Sequence, residues 1–396
     1  MSIELCPESN YLNIAVQLKE DVIMLDFRKI RIIIFSVFVS LLLYLPAYSQ
    51  GPPFAYITDF DGDNICKVNL LTNMEEAVIT VCDDCDPYWI AASANQNLVA
   101  ASLHTDVGIA LIDAETMSHI GNVSCLNLDN NFEEPEAIAV NSTGTLVYVA
   151  DENGDRLFVV DVATQTCVVG PIDLDDSTSC DFPENMVISP DDSTLYITCE
   201  DGPEVISVDT ASFDVDQIAD SGTHGIAINP AGTLLYYGDG STVIEYDIAM
   251  GAPTGNEYDD CTMYNGAISP DGSRLYCVED SDDLFIYDIA NDGAPLQVID
   301  LGNSDATGVA VSSDGARVFV AFGNEGLKVV DTTTFDVTEI DLTCTDARDI
   351  VIVQEIPPPP PPVGKVPTLS EWGLIAMAGI LGIVGFMVLR RRKVTA

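Results

Sequence analysis

A unit of 38 to 48 residues recurs along most of this chain, and that period narrows the fold more than any other feature. The clearest copies are 137–166 (AIAVNSTGTLVYVADENGDRLFVVDVATQT), 225–249, 266–290 and 308–334, with weaker ones at 90–118 and 186–213. Each copy reads as three short strands rich in β-branched and aromatic residues. A turn of the type Ser-Pro-Asp-Gly follows the first strand, where Pro presets φ and Gly supplies a positive φ. An acidic, glycine-bearing turn follows the second, and a fourth strand leads onward. The third strand ends at Asn69, Asp113, Asp161, Asp209, Asp247, Asp288 and Asp331, spaced by 44, 48, 48, 38, 41 and 43 residues. Four strands per repeat of this length predict an all-β fold, a seven-bladed propeller.

The first unit, Phe54 to Val81, lacks an opening strand, and the far end supplies one at Asp349–Val353. The expectation is that this C-terminal strand completes the N-terminal blade and closes the ring, which removes the exposed edges of an open row of sheets. The repeats, above all Ser269–Gly272 followed by Leu275-Tyr276, resemble the YVTN family of bacterial propeller proteins. That resemblance implies the fold and leaves the chemistry open.

Each end of the chain carries an address. Phe27 to Gln50 has a basic start, an apolar run from Ile32 to Leu45, and small residues at Ala47-Tyr48-Ser49 suited to signal peptidase. The expected leader is 1–49, with Met24 as an alternative start, and the propeller is expected over 50–356. Six prolines, Pro357–Pro362, open a stiff linker at 357–365. Residues 366–396 then read Val366-Pro367-Thr368-Leu369-Ser370-Glu371-Trp372-Gly373, an uncharged apolar stretch Leu374–Leu389, and Arg390-Arg391-Arg392-Lys393. The apolar stretch predicts a transmembrane helix with its basic end in the cytoplasm. The whole tail resembles the IPTL-CTERM sorting signal of Gram-negative bacteria, with Val366 in place of Ile. The resemblance implies an inner-membrane-anchored precursor, processing by an exosortase-type enzyme, and delivery to the cell surface or outer envelope.

Composition excludes one class of partner. The chain has 63 acidic and 15 basic residues, and only Lys67, Arg156, Arg274, Arg317, Lys328, Arg348 and Lys365 lie between 51 and 365. Such a polyanion repels phosphate backbones, so nucleic acid is not an expected partner. Of eleven cysteines, Cys6 precedes the leader's apolar run, and the other ten predict disulfides in an exported protein, with connectivity open. Cys82 and Cys85 have redox or metal spacing, but flanking aspartates raise a thiol pKa, which favours a structural bond. Cys85, Cys180, Cys261 and Cys344 precede first strands and are expected to pin the loops there.

In a propeller the first strand of each blade lines the central channel. Aligning the copies places one residue per blade at the channel mouth: Arg348, Tyr88, Glu136, Glu184, His224, Tyr264 and Thr307 for blades one to seven. Glu136, Glu184 and His224 come from consecutive blades and could hold a transition metal or act as an acid and a base. A solvated polar rim is the simpler reading of the same three residues, since propeller mouths are polar in any case. The turn holding Asp59, Asp61 and Asp63 offers oxygen ligands suited to calcium, but Asp, Asn and Gly also belong in any hairpin turn. His104 and His119 read as surface or packing residues. No phosphate loop, nucleophile elbow or zinc-protease motif is present. These features point to a displayed binding module for a protein, glycan or small ligand. A lactonase-like hydrolase and a structural surface-layer component are the alternatives.

Overall fold

The computed structural model describes residues 53–354, apart from 106–107, 126–131, 179, 202–204, 221–223, 280, 303–305 and 325, together with an antiparallel pair formed by Ile14–Leu18 and Asp21–Leu25. The readings of a signal peptide, proline linker, sorting motif and transmembrane helix fall outside the described residues. Among the described residues no helix is long and apolar enough to cross a membrane.

Seven four-stranded antiparallel sheets follow one another around a ring. Their innermost strands are Ala347–Gln354, Pro87–Ala92, Pro135–Val140, Asp181–Ile188, Ile226–Ile228, Asn265–Ile268 and Ala306–Val311. Each touches the next, and the last touches the first. In the first blade, Ala347–Gln354 pairs with Pro53–Asp59, matching Phe54 to Val353 and Ile57 to Ile350. The expected closure by a C-terminal strand is therefore what the chain does.

Burial follows from this stacking. Second and third strands lie between neighbouring sheets and are buried on both faces, as in Leu98–Leu103 and Gly108–Asp113. Outer strands meet solvent and alternate, as in Met74–Thr80. The core accordingly divides into seven apolar clusters, one between each pair of adjacent blades.

The recurring aspartate has a local cause. Its carboxylate accepts backbone N–H groups of the turn it opens: Asp161 from Thr164 at 2.8 Å, Asp209 from Ser212 at 2.7 Å and Asp331 from Thr334 at 2.8 Å. Those bonds hold all three carboxyls below the usual range. The serine turns work alike. Ser269 donates to Asp271 at 2.6 Å and accepts from the Ser273 and Arg274 N–H groups, while Gly272 adopts φ +71°.

The ten cysteines from Cys66 to Cys344 are all paired: Cys66–Cys344, Cys82–Cys85, Cys125–Cys167, Cys180–Cys199 and Cys261–Cys277. Cys66–Cys344 fastens the loop before the closing strand to the first blade, and Cys125–Cys167 joins blades two and three.

Candidate functional site at the channel mouth

The loops entering the inner strands are held in place by the acidic turns. Asp59 lies at the end of a second strand, and its buried carboxylate accepts from Thr345 N–H, Thr345 Oγ1–H and Asp346 N–H at 2.9 to 3.0 Å. Asp151 holds the equivalent place and accepts from Glu133 and Glu134 N–H at 2.9 and 2.7 Å. Each thus anchors the loop entering its own blade. Four residues on, Asp63 and Asp155 reach the following blade. Asp63 accepts from Asp84, Cys85 and Asp86 N–H, and Asp155 from Phe182 N–H at 2.8 Å. Burial raises the Asp63 carboxyl, but those three donors outweigh it and the net shift is downward. A Cβ at Gly62 or Gly154 would strike the Asp59 or Asp151 carboxylate, which explains glycine there. In blade four the position of Asp151 is filled by Cys199, bonded to Cys180, so a disulfide replaces the anchoring carboxylate. Asp61 is exposed.

Hydroxyls from the preceding blade fix the mouth backbone. Thr58 donates to the Tyr88 carbonyl at 2.8 Å, Thr198 to that of His224 at 2.7 Å, and Thr307 to that of Arg348 at 2.6 Å.

The seven mouth residues then divide by role. Tyr88 of blade two and Tyr264 of blade six share a hydrogen bond between their hydroxyls across the channel. Burial raises both phenols, that of Tyr88 to about 12. Trp89 stacks on Tyr264 with centroids 5.9 Å apart, and Phe60, His104 and His224 extend the run of rings. Thr307 is buried, and Arg348 pairs with Asp346 at 2.9 Å while its guanidinium lies 5.0 Å from the Phe60 ring centre. Together they close the channel on this face. Beneath lies a cavity of about 320 Å³ of mixed lining, with Ile138, Met186 and Ile226 beside Asn185, Asn265 and Asp349.

Glu184 and His224 are hydrogen-bonded through Nδ1. Burial raises the Glu184 carboxyl, and His224 draws it partly back. Glu136 turns instead to the Trp89 indole N–H at 3.2 Å. Its carboxyl is held well above the ordinary range, first by burial and then by Glu152. A second cavity of about 330 Å³ opens beside the pair, lined by His224, Thr262, Tyr264 and Glu279.

The sequence reading gave no site role to Phe60, Trp89 or Glu152, took His104 for a surface or packing residue, and placed Asp349 only as the start of the closing strand. One signal was available: strand register places Phe60, His104, Glu152 and Glu200 at a single repeat position, just past the second strand in blades one to three and within its last residues in blade four. Asp349 is fully buried in the channel wall. It accepts from Ile90 N–H at 3.0 Å and Asn265 Nδ2 at 3.1 Å, linking blades one, two and six, and burial raises its pKa to about 7.

Among the described residues, three groups bring metal-ligating atoms within 4.8 Å of one another: Asp59 with Cys66 and Cys344, Asp63 with Cys82 and Cys85, and His104 with Glu134 and Glu152. The sulfurs of the first two are committed to disulfides and offer no thiolate.

Residues 366–392 match the family model of the IPTL-CTERM motif. The chain therefore carries that sorting signal, which implies processing by an exosortase-type enzyme and an exported, envelope-associated protein. A search of curated proteins finds no match to the chain. Among solved structures, hydrazine synthase of Kuenenia stuttgartiensis aligns with a TM-score of 0.53 at 20% identity, over 63% of this chain and 78% of that one. At that identity the likeness concerns the fold alone.

Proposed function

We propose that this surface-sorted propeller is a binding module whose ligand seats at the channel mouth, in the recess formed by His224, Thr262, Tyr264 and Glu279. The recess of about 330 Å³ carries the reading. It joins an aromatic face to an imidazole and carboxylates, a lining suited to a small polyhydroxylated or cationic ligand such as a sugar unit. Anionic ligands are disfavoured by a chain with formal net charge −48. The leader 1–49 directs export and is removed by signal peptidase, the propeller occupies 50–356, and 366–396 anchors the precursor in the inner membrane of a Gram-negative cell before sorting.

Binding of the purified protein to a panel of glycans and amines, read by calorimetry, tests this. The expected result is a ligand whose affinity falls at least tenfold in Tyr264→Ala and His224→Ala, with little change in a variant of the exposed outer strands such as Val337→Ala. Binding that is indifferent to both mouth variants would overturn it.

A hydrolase reading rests on one observation, the hydrogen-bonded Glu184–His224 pair at the edge of the recess. An imidazole oriented by a carboxylate is a competent general base. Turnover of a lactone or ester panel lost in both Glu184→Gln and His224→Ala would favour it. Turnover retained in both would remove it.

A further inference from the structure

His104, Glu134 and Glu152 gather at the junction of blades two and three, apart from the Glu184–His224 pair. His104 and Glu152 hold the same repeat position in neighbouring blades, and Glu134 comes from the loop entering blade three. His104 Nε2 lies 3.1 Å from Glu134 Oε1 and 3.8 Å from Glu152 Oε2, and all three ligand atoms fall within 4.8 Å of one another. A tetrahedral ion with bonds of about 2.0–2.2 Å places its ligand atoms roughly 3.3–3.6 Å apart. The observed separations bracket that spacing.

Neighbouring groups fix the ligands. The His104 ring packs against Tyr88 and Phe60, with centroids at 5.3 and 6.1 Å, and its backbone N–H donates to Asp86 O at 3.1 Å. Glu152 N–H donates to Glu134 O at 2.8 Å, and Asn153 Nδ2 donates to the Glu134 carboxylate. Behind the group stands Glu136, only 3% exposed, which interacts with Glu152 and accepts from the Trp89 indole N–H. Two half-buried carboxylates thus converge on the His104 imidazole, with Glu136 almost wholly withdrawn from water behind them. Nearby Arg156 is committed to Asp151 and Glu133. A cation between these groups would offset the repulsion of the two neighbouring carboxylates. An imidazole with two carboxylates is a donor set for zinc or a similar transition metal, whereas calcium takes oxygen ligands alone.

We propose that His104, Glu134 and Glu152 bind one transition-metal ion of the zinc class, with Glu136 as an outer carboxylate. The metal would complete the anchoring of the blade-three loop and, through Glu136 and Trp89, set the aromatic closure of the mouth.

The test uses the full-length protein in detergent, stripped with chelator and titrated with Zn²⁺, then with Co²⁺ as a spectroscopic probe. One equivalent of Zn²⁺ should bind, with affinity reduced at least 100-fold in His104→Ala and at least tenfold in Glu152→Gln. His224→Ala should bind as the parent does. Co²⁺ should give visible absorption bands in the parent that are lost in His104→Ala. Folding of each variant is checked by far-ultraviolet circular dichroism. Should His104→Ala not fold, absence of the Co²⁺ bands from the parent would by itself overturn the proposal. So would no stoichiometric Zn²⁺ binding, equal Zn²⁺ affinity in folded His104→Ala, or loss of the ion in His224→Ala alone.

Discussion

The hydroxyls of Tyr88 and Tyr264 meet at 2.5 Å across the channel mouth, although 176 residues separate them in the chain. They come from blades two and six, and only ring closure brings them together. Tyr264→Phe removes this bond from a buried site and is expected to lower stability by about 1 kcal/mol. Tyr264→Ala should do more, since it removes the ring stacked on Trp89 and opens the mouth towards the cavity beneath, whose walls include Ile138, Met186 and Ile226. An environment-sensitive apolar dye should bind the Ala variant and leave the Phe variant dark. Equal dye binding by the two would refute the closure.

The closing strand is fastened twice, by its ladder to Pro53–Asp59 and by Cys66–Cys344. That disulfide spans 278 residues, so in the chain-entropy view its removal costs on the order of 5 kcal/mol. Cys66→Ser with Cys344→Ser should fold with a lowered Tm. A chain ending before Ala347 leaves the first blade without its inner strand and should lose cooperative unfolding, as read by calorimetry. A truncated chain as stable as the parent would contradict the closure.

Asp349 governs one part of the pH response. Its folded pKa of about 7 lies above the ordinary value of 3.8 because burial disfavours the charge. Below about 4 the carboxyl is protonated in both states, and it carries no penalty. As pH rises towards 7 the unfolded chain releases the proton while the folded chain keeps it, so stability declines, and above 7 the loss is complete. Three pH units correspond to a few kcal/mol. Asp349→Asn should flatten the stability profile between pH 4 and 7, measured by denaturant unfolding. An unchanged slope would show that Asp349 does not carry this titration.

Asp63 and Asp61 are two residues apart and should behave differently. Asp63→Ala strips partners from three backbone N–H groups, two of them at 2.7 and 2.8 Å, and is expected to cost about 1–3 kcal/mol. Asp61→Ala changes an exposed side chain and should stay within roughly 0.5 kcal/mol. Unfolding with and without calcium checks the pair: a calcium-dependent gain that Asp61→Ala abolishes would assign the turn to ion binding rather than to loop anchoring.

Much of the architecture was legible because it is written in local chemistry. The Asp or Asn that caps each turn after a third strand and the Ser-Pro-Asp-Gly turns need only their own neighbours, so they recur at the period of the blade. The orphan strand at Asp349–Val353 was legible because one blade lacked its opening strand. Among the mouth residues, position in the repeat was legible and partnership was not. Glu136 and Glu184 occupy equivalent places, yet one meets the Trp89 indole and the other meets His224. His104 read as a surface or packing residue because its carboxylate neighbours stand in another blade.

By itself, the sequence determined the number of blades, the strand that closes them and the sorting address, because repeats, capping residues and a terminal motif are properties of short segments. Only the tertiary structure decided which cysteines bond, which side chains close the channel, and where a histidine joins two glutamates. Those outcomes depend on distances across a ring, set by how seven sheets pack around an axis, and no spacing along the chain encodes them.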